Sequence, residues 1–381
     1  METWHTQLYE LRNSLHRAAE LAGAERRTSS ILTDFLGAFP PDTLLRGLGG
    51  HGLAAVYAGE GAGPCVLFRA ELDALPIAES STGSGASDTP GISHQCGHDG
   101  HMAMVASLAP ALNAHRPKRG RVVLLFQPSE ETGEGARTVL DDPRFAELAP
   151  DLVFAPHNLP GYPLGRVVLR EGIFASTARS LEVSLLGKTS HAAEPERGVS
   201  PVDALAEILQ GWSSMTTGLD YGKAGLVTVV HAKLGERALG TSPGAASVVA
   251  TLRAAGADVM ARLSGRCVAL AAASAVRHGL RMEQAWYEEF PCTVNDGDAV
   301  GIVERAAVEA GLKCARRSAP FLWTEDFGHF TAAYRGALFG LGAGEETKPL
   351  HHPEYLFPDE LIPLGTDLLL GIVRQTIGER A

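Results

Sequence analysis

Four short apolar runs, each ending in a residue able to hold a metal or move a proton, constrain this chain more than any other feature. Cys65–Phe68 (CVLF) runs into Arg69-Ala70-Glu71-Leu72-Asp73, and Val122–Phe126 (VVLLF) runs into Gln127-Pro128-Ser129-Glu130-Glu131. Leu152–Ala155 (LVFA) ends in Pro156-His157-Asn158. Far downstream, Ala337–Leu341 (ALFGL) precedes a glycine-rich turn and then His351 and His352. Short apolar runs separated by helical segments read as buried strands of a mostly parallel α/β sheet. Ligands bind such sheets at the carboxyl ends of the strands, so these endings are expected to converge on one crevice.

Between the first two runs lies Gln95–Met104, QCGHDGHMAM. It sets the thiol of Cys96 beside the imidazoles of His98 and His101, with His94 just upstream. Gly97 and Gly100 let the backbone turn tightly, because glycine tolerates conformations closed to other residues. From Met102 apolar residues recur at helical spacing, and Asp99 is expected to cap that helix. Soft and borderline ligands on a turn into a helix suit a zinc-like ion. A thiol nucleophile with a histidine base is the alternative reading of the same residues. The adjacent acids Glu130 and Glu131 favour metal chemistry, since one can bind an ion while the other moves protons.

A chain of 381 residues suggests two domains. Residues 5–36 read as one or two amphipathic helices, with Leu8, Leu11, Leu15 and Leu21 at helical spacing. Between Thr177 and Pro291 the pattern becomes strand, helix, strand, strand, helix, strand, with helices expected near Pro201–Thr217 and Val259–Arg277. That is the ferredoxin-like order. The expected fold class is therefore α/β: a mostly parallel mixed-sheet domain bearing the candidate catalytic residues (1–176 and 292–381) and carrying an inserted α+β ferredoxin-like domain (177–291). Ser80–Gly91, rich in small residues, reads as a loop.

The formal net charge of −11 argues against nucleic acid or an acidic membrane surface as a partner. The five scattered cysteines include no CxxC pair and do not resemble a disulfide framework, which fits a reducing cytoplasm. Cys65, Cys267, Cys292 and Cys314 read as buried fillers. The charged N-terminus lacks the apolar core of a signal peptide. No segment reads as long and apolar enough to span a bilayer, the longest apolar run being Val268–Val276.

Five separated motifs carry a family resemblance: CGHDGH at Cys96–His101, PSEETGEGA at Pro128–Ala136, GKTSHAAEPERGVSP at Gly187–Pro201, TEDFGHF at Thr324–Phe330 and LHHPEYLFPDE at Leu350–Glu360. In this order they resemble the aminoacylase and glutamate-carboxypeptidase superfamily of dinuclear metallopeptidases. Within it the chain is similar to the branch of hippurate, auxin-conjugate and N-acyl-amino-acid amidohydrolases.

The resemblance implies two divalent ions per subunit (Zn, Mn, Co or Ni), bridged by the Cys96 thiolate. His98 and Glu131 are then expected on one ion and His157 and His351 on the other. Glu130 becomes the general base, taking a proton from a metal-bridging water and passing it to the leaving amine. Asp73 becomes the acid that orients a ligating group. His191 is expected to reach the partner subunit's site in a homodimer formed through the inserted domain and to stabilise the oxyanion there. Arg253 stands where relatives have an arginine, so it can hold a substrate carboxylate or form a surface ion pair. The implied reaction is hydrolysis of the amide bond of a small-molecule N-acyl amino acid, with a dipeptidase or aminopeptidase on the same scaffold as the near alternative. A cysteine-nucleophile hydrolase and a degenerate binding protein are the remote ones. The chain departs from the family pattern at Glu71, where aspartate is usual, and at Thr241-Ser242-Pro243-Gly244, where an asparagine-led segment contacts substrate.

Overall fold

The computed structural model describes residues 2–80, 85–215 and 225–378. Two compact units emerge, one formed by Met1–Phe174, Thr293–Ser318 and Glu325–Ala381, the other by Ala175–Cys292 and Ala319–Thr324. Residues 81–84 of the expected Ser80–Gly91 loop, and Thr216 and Thr217 of the helix expected near Pro201–Thr217, lie outside the described residues.

The larger unit is built on an eight-stranded mixed sheet. Its central strands, in spatial order, are Arg119–Gln127, Gly61–Glu71, Leu152–Leu159 and Arg335–Gly342. These are the four apolar runs of the sequence, and each neighbouring pair is parallel. Both faces must be covered for such strands to be apolar at successive positions. Val122 to Phe126 and Val66 to Phe68 are accordingly buried throughout. Antiparallel strands Thr43–Leu48 and Gly52–Ala58 extend one side. On the other, Val167–Leu169 runs antiparallel to Arg335–Gly342, with Cys314–Arg316 parallel beyond it. The register aligns Glu71 with Gln127 and His157 with Gly340, which brings the chemistry-bearing ends to one edge of the sheet.

The N-terminal helices are Glu2–Arg17 and Arg26–Gly37, and Leu8, Leu11, Leu15, Leu32 and Leu36 enter the core beside the sheet. Two other sequence expectations are corrected. Asp99 is not a cap: it lies in the first turn of helix His98–Ala106, behind the N-cap Gly97. Its carboxylate instead accepts from His16 at 2.8 Å. Of the four filler cysteines, Cys65 and Cys267 are buried, whereas Cys292 and Cys314 are only partly so.

The smaller unit holds a four-stranded antiparallel sheet in the order Leu226–Leu234, Ala245–Ala254, Thr177–Leu186, Arg281–Phe290. Helices Val202–Ser214 and Ala257–Arg277 bury Ile208, Trp212, Leu263 and Cys267 against Leu181, Val183, Val248 and Ala250. Helix Ala257–Arg277 corrects the bilayer-length expectation, because its 21 residues are long and apolar enough to cross a membrane by length and composition alone. The apolar run extends upstream once Met260 and Leu263 join the helix, and these side chains pack into this unit's core.

Candidate metal centre

The turn before helix His98–Ala106 works because Gly97 sits at φ +87°, where a Cβ would lie 2.5 Å from Asn158 Nδ2 and 2.8 Å from the Tyr355 hydroxyl. Gly100 is needed for a different reason: a Cβ there would meet the Phe357 ring at 2.2 Å. The Asn158 side chain donates to the Cys96 carbonyl at 2.7 Å and accepts from the Tyr355 hydroxyl at 2.7 Å, which fastens the turn to a strand end. His101 is fully engaged. Its Nδ1 donates to Glu71 at 2.7 Å and its Nε2 accepts from the Asn158 backbone at 3.0 Å, so it braces the site as a neutral imidazole.

His98 presents the opposite case. Its Nδ1 donates to the Asp73 carbonyl at 2.8 Å, while Nε2 is buried with no hydrogen-bond partner among the described residues. That nitrogen lies 3.9 Å from Glu131 Oε1, itself a buried atom without a partner, and 4.0 Å from Glu130 Oε2. His157 donates from Nδ1 to the Asn158 carbonyl at 2.8 Å and turns Nε2 toward Cys96 Sγ, 3.9 Å away. His351 adopts φ +64° and directs Nε2 to within 3.6 Å of Glu131 Oε1. The Nδ1 of His352 accepts the Glu354 backbone N–H at 3.1 Å.

Among the described residues, five sets have donor atoms within 4.8 Å of one another, and three of them draw only on the candidate ligands and Glu130: Cys96–His98–His157, Cys96–Glu131–His351 and His98–Glu130–Glu131. Cys96 thus belongs to two sets, with His98 beside His157 in one and Glu131 beside His351 in the other. The two cysteine-sharing sets divide the donors otherwise than the sequence expectation, which grouped His98 with Glu131, while the third set keeps those two together. A thiol, three imidazoles and a carboxylate make a donor set suited to borderline divalent ions. The orphaned His98 Nε2 and Glu131 Oε1 are the atoms that such an ion would satisfy.

The two acids are delivered by a strained turn. Ser129 sits at φ +56°, unusual for a residue with a Cβ, and its N–H is held by Glu25 at 2.9 Å. The next two backbone amides, of Glu130 and Glu131, donate to the two oxygens of Asp73 at 3.0 and 2.9 Å. Asp73 therefore orients His98 through its carbonyl and both glutamates through its carboxylate.

Electrostatics match a site short of positive charge. Burial, followed by the nearby carboxylates of Glu325 and Glu131, holds Glu130 well above the usual carboxylate range. Burial also pushes Glu131 up to about 7. The Cys96 thiol is driven far up by burial and then by Glu131 and Glu130. Burial opposes protonation of His98, but Glu71, Glu131 and Asp73 outweigh it and raise its pKa. His157 is pulled down to about 3 by burial and His101, and burial also lowers His351, so both stay neutral at pH 7.

The remaining sequence-predicted residues lie in the smaller unit. His191 is exposed on strand Ser190–His191, paired with Thr241 of the departing segment. Its Nδ1 accepts the Ala193 N–H at 3.0 Å, which leaves the proton on Nε2. Arg253 is half-buried and reaches the Thr324 hydroxyl at 3.4 Å, with no carboxylate in salt-bridge range among the described residues. Sequence reasoning assigned no role to Asn158, Tyr355, Arg69, Glu25, Glu325 or Asp326. Tyr355, Glu325 and Asp326 stood in motifs already singled out.

The model of Peptidase family M20/M25/M40 matches residues 67–375. The chain belongs to this family. It is a hydrolase acting on amide bonds, in the amidohydrolase branch. It is 27% identical over 382 residues to an N-acetylcysteine deacetylase of Bacillus subtilis, covering 99% of each chain. It is also 27% identical to IAA-amino acid hydrolase ILR1-like 2 of Arabidopsis thaliana, over 98% of this chain and 86% of that one. A crystal structure from Bacillus subtilis, described as a dinuclear metal binding peptidase of the M20 family, superposes with a TM-score of 0.82 at 26% identity over 98% of both chains.

Proposed function

We propose that this M20-family protein hydrolyses the amide bond of small N-acyl amino acids, releasing a carboxylate and a free amino acid. The observation carrying this reading is the pairing of two cysteine-sharing donor sets with Glu130, an acid that neither of them uses. A structural zinc site is closed and has no spare acid. The relatives support the substrate class, since one acts on N-acetylcysteine and another on IAA-amino acids by their names.

In this reading Cys96, His98 and His157 would hold one divalent ion and Cys96, Glu131 and His351 the other; the Bacillus subtilis neighbour, described as dinuclear, agrees in number. Two such ions polarise an amide carbonyl and acidify a water. Glu130 accepts the proton from the attacking water through the oxygen facing His98 and delivers it to the departing amine. Asp73 keeps Glu130 and Glu131 in register for that transfer. His191 donates from Nε2 to the developing oxyanion, supplied across a homodimer formed by the ferredoxin-like inserted unit acting as lid. Arg253, with no carboxylate in salt-bridge range among the described residues, binds the substrate carboxylate with its fork of donors. The reaction is placed in the cytoplasm.

The test is a panel of N-acetyl, N-benzoyl and indole-acyl amino acids, with dipeptides as comparison, assayed for free amine before and after exhaustive chelation. Chelation is expected to abolish release and Zn²⁺, Mn²⁺, Co²⁺ or Ni²⁺ to restore it. Turnover that survives chelation refutes the metal reading, and preference for dipeptides favours a dipeptidase.

A further inference from the structure

Glu325 and Asp326, from the Thr324–Phe330 motif, have no part in the reaction above, yet both are buried within the larger unit. Facing them is Arg69, fully buried near the end of strand Gly61–Glu71. Its Nη1 donates to Glu71 and Glu325, its Nη2 donates to Asp326 Oδ1, and its Nε donates to Gln127 Oε1 at 2.8 Å. Gln127 closes the ring by donating from Nε2 to Asp326 Oδ2 at 2.7 Å, where the Ala136 N–H also arrives at 2.7 Å. The Asp326 side chain is thus clamped by three residues.

The consequence falls on its backbone. The Asp326 N–H donates to Glu130 Oε1 at 3.3 Å, while Glu130 Oε2 faces His98 Nε2 at 4.0 Å. The terminal torsion of a glutamate is broad, so it does not itself fix the plane of the carboxylate. An external donor on one oxygen fixes that plane and leaves the other oxygen turned toward His98. The cluster is a poor device for stability alone, since buried ion pairs commonly hold a fold no better than apolar residues of similar volume.

We propose that Arg69 is a positioning residue for Glu130, acting through the clamped Asp326 amide, which holds one carboxylate oxygen so that the other is turned toward His98 for proton transfer. This rests on the reading of Glu130 as the base. A lysine keeps the charge but cannot reproduce the planar fork that spans Gln127, Glu325 and Asp326.

The test is a double-mutant cycle in the metal-loaded enzyme with Arg69→Lys, Glu130→Gln and the double variant, followed by kcat, KM, near-ultraviolet circular dichroism and the absorption spectrum of the Co²⁺-loaded protein. Arg69→Lys is expected to lower kcat about 10²-fold, the scale of a 1 Å misplacement, with KM and the Co²⁺ spectrum unchanged. In the Glu130→Gln background the same change is expected to have almost no further effect. An equal fold-loss in both backgrounds, or a wild-type kcat for Arg69→Lys, overturns the proposal while leaving Glu130 as base. A wild-type kcat for Glu130→Gln overturns the base reading itself, and this inference with it. If Arg69→Lys does not fold, Gln127→Met removes the amide link without removing a charge. It is expected to cost kcat several-fold only when Glu130 is present, and an unchanged kcat overturns the proposal.

Discussion

Asp73 accepts the backbone N–H of Glu130 at 3.0 Å, and its second oxygen accepts that of Glu131 at 2.9 Å. One carboxylate therefore sets the height of both acids, while the carbonyl of the same residue holds His98 at 2.8 Å. Asparagine at this position keeps the shape but turns an NH₂ toward one of the two amides, leaving donor against donor. Asp73→Asn is expected to weaken metal affinity by about 10–100-fold, as loss of a ligand-orienting partner commonly does, and to lower kcat as well. Metal titration by calorimetry alongside steady-state kinetics checks this; wild-type affinity and turnover together would remove Asp73 from the site.

The Cys96 thiol lies far above its ordinary pKa, through burial first and then Glu131 and Glu130, so it carries its proton in the metal-free protein at pH 7.5. A metal ligand must be the thiolate, so uptake is expected to expel that proton. Indicator-dye titration with Zn²⁺ should register about one proton fewer for Cys96→Ala than for wild type. Equal proton release by the two proteins excludes the thiolate as a ligand.

His16 is buried between Asp99 at 2.8 Å and Glu79 at 3.1 Å. Burial pulls its pKa down, but the two carboxylates outweigh that and raise it from 6.5 to about 9. The folded protein thus holds a proton that the unfolded chain releases above pH 6.5. The associated stability is complete below that pH and is lost as pH rises through about 9. Its size is of order 3 kcal/mol at 1.36 kcal/mol per unit. Urea unfolding of the metal-free protein at pH 6.5 and 9.5 should show the decline in wild type and a flatter response in His16→Gln. Identical slopes for the two proteins would exclude His16 as the source.

Gly97→Ala and Gly23→Ala separate backbone strain from crowding. Both glycines have positive φ, +87° and +78°, but only at Gly97 does a Cβ meet neighbours, at 2.5 Å from Asn158 Nδ2; at Gly23 nothing lies within 4 Å. Gly23→Ala is expected to cost about 1–2 kcal/mol for the left-handed backbone alone. Gly97→Ala should cost more and also impair metal binding, because Asn158 anchors the Cys96 carbonyl. Equal melting shifts with full metal content would contradict the crowding account.

His191 offers Nε2–H as a donor, its Nδ1 being occupied by the Ala193 amide at 3.0 Å. If it serves the site of the partner subunit, mixing His191→Ala and Glu130→Gln subunits should restore activity that neither variant shows alone. No recovery in a verified heterodimer rules out action in trans.

The amino-acid sequence by itself determined the four parallel strands and the kinds of donor at their ends. Continuous apolar runs ending in histidine or acid report local burial and local chemistry, and both are properties of a few neighbouring residues. It also determined the strand and helix order of residues 177–291, through alternating and helical periodicity. Tertiary structure alone decided how the donors divide. Which donors share the Cys96 thiol depends on which strands lie side by side, and nothing near Cys96 in the chain encodes that. The same holds for Gly100, required by the distant ring of Phe357 rather than by its own turn, and for Asp99, which gave up a cap to bind His16. Arg69 is the clearest case: its partners Glu325 and Asp326 lie more than 250 positions away, and a buried charge has to find its counter-charges wherever packing brings them.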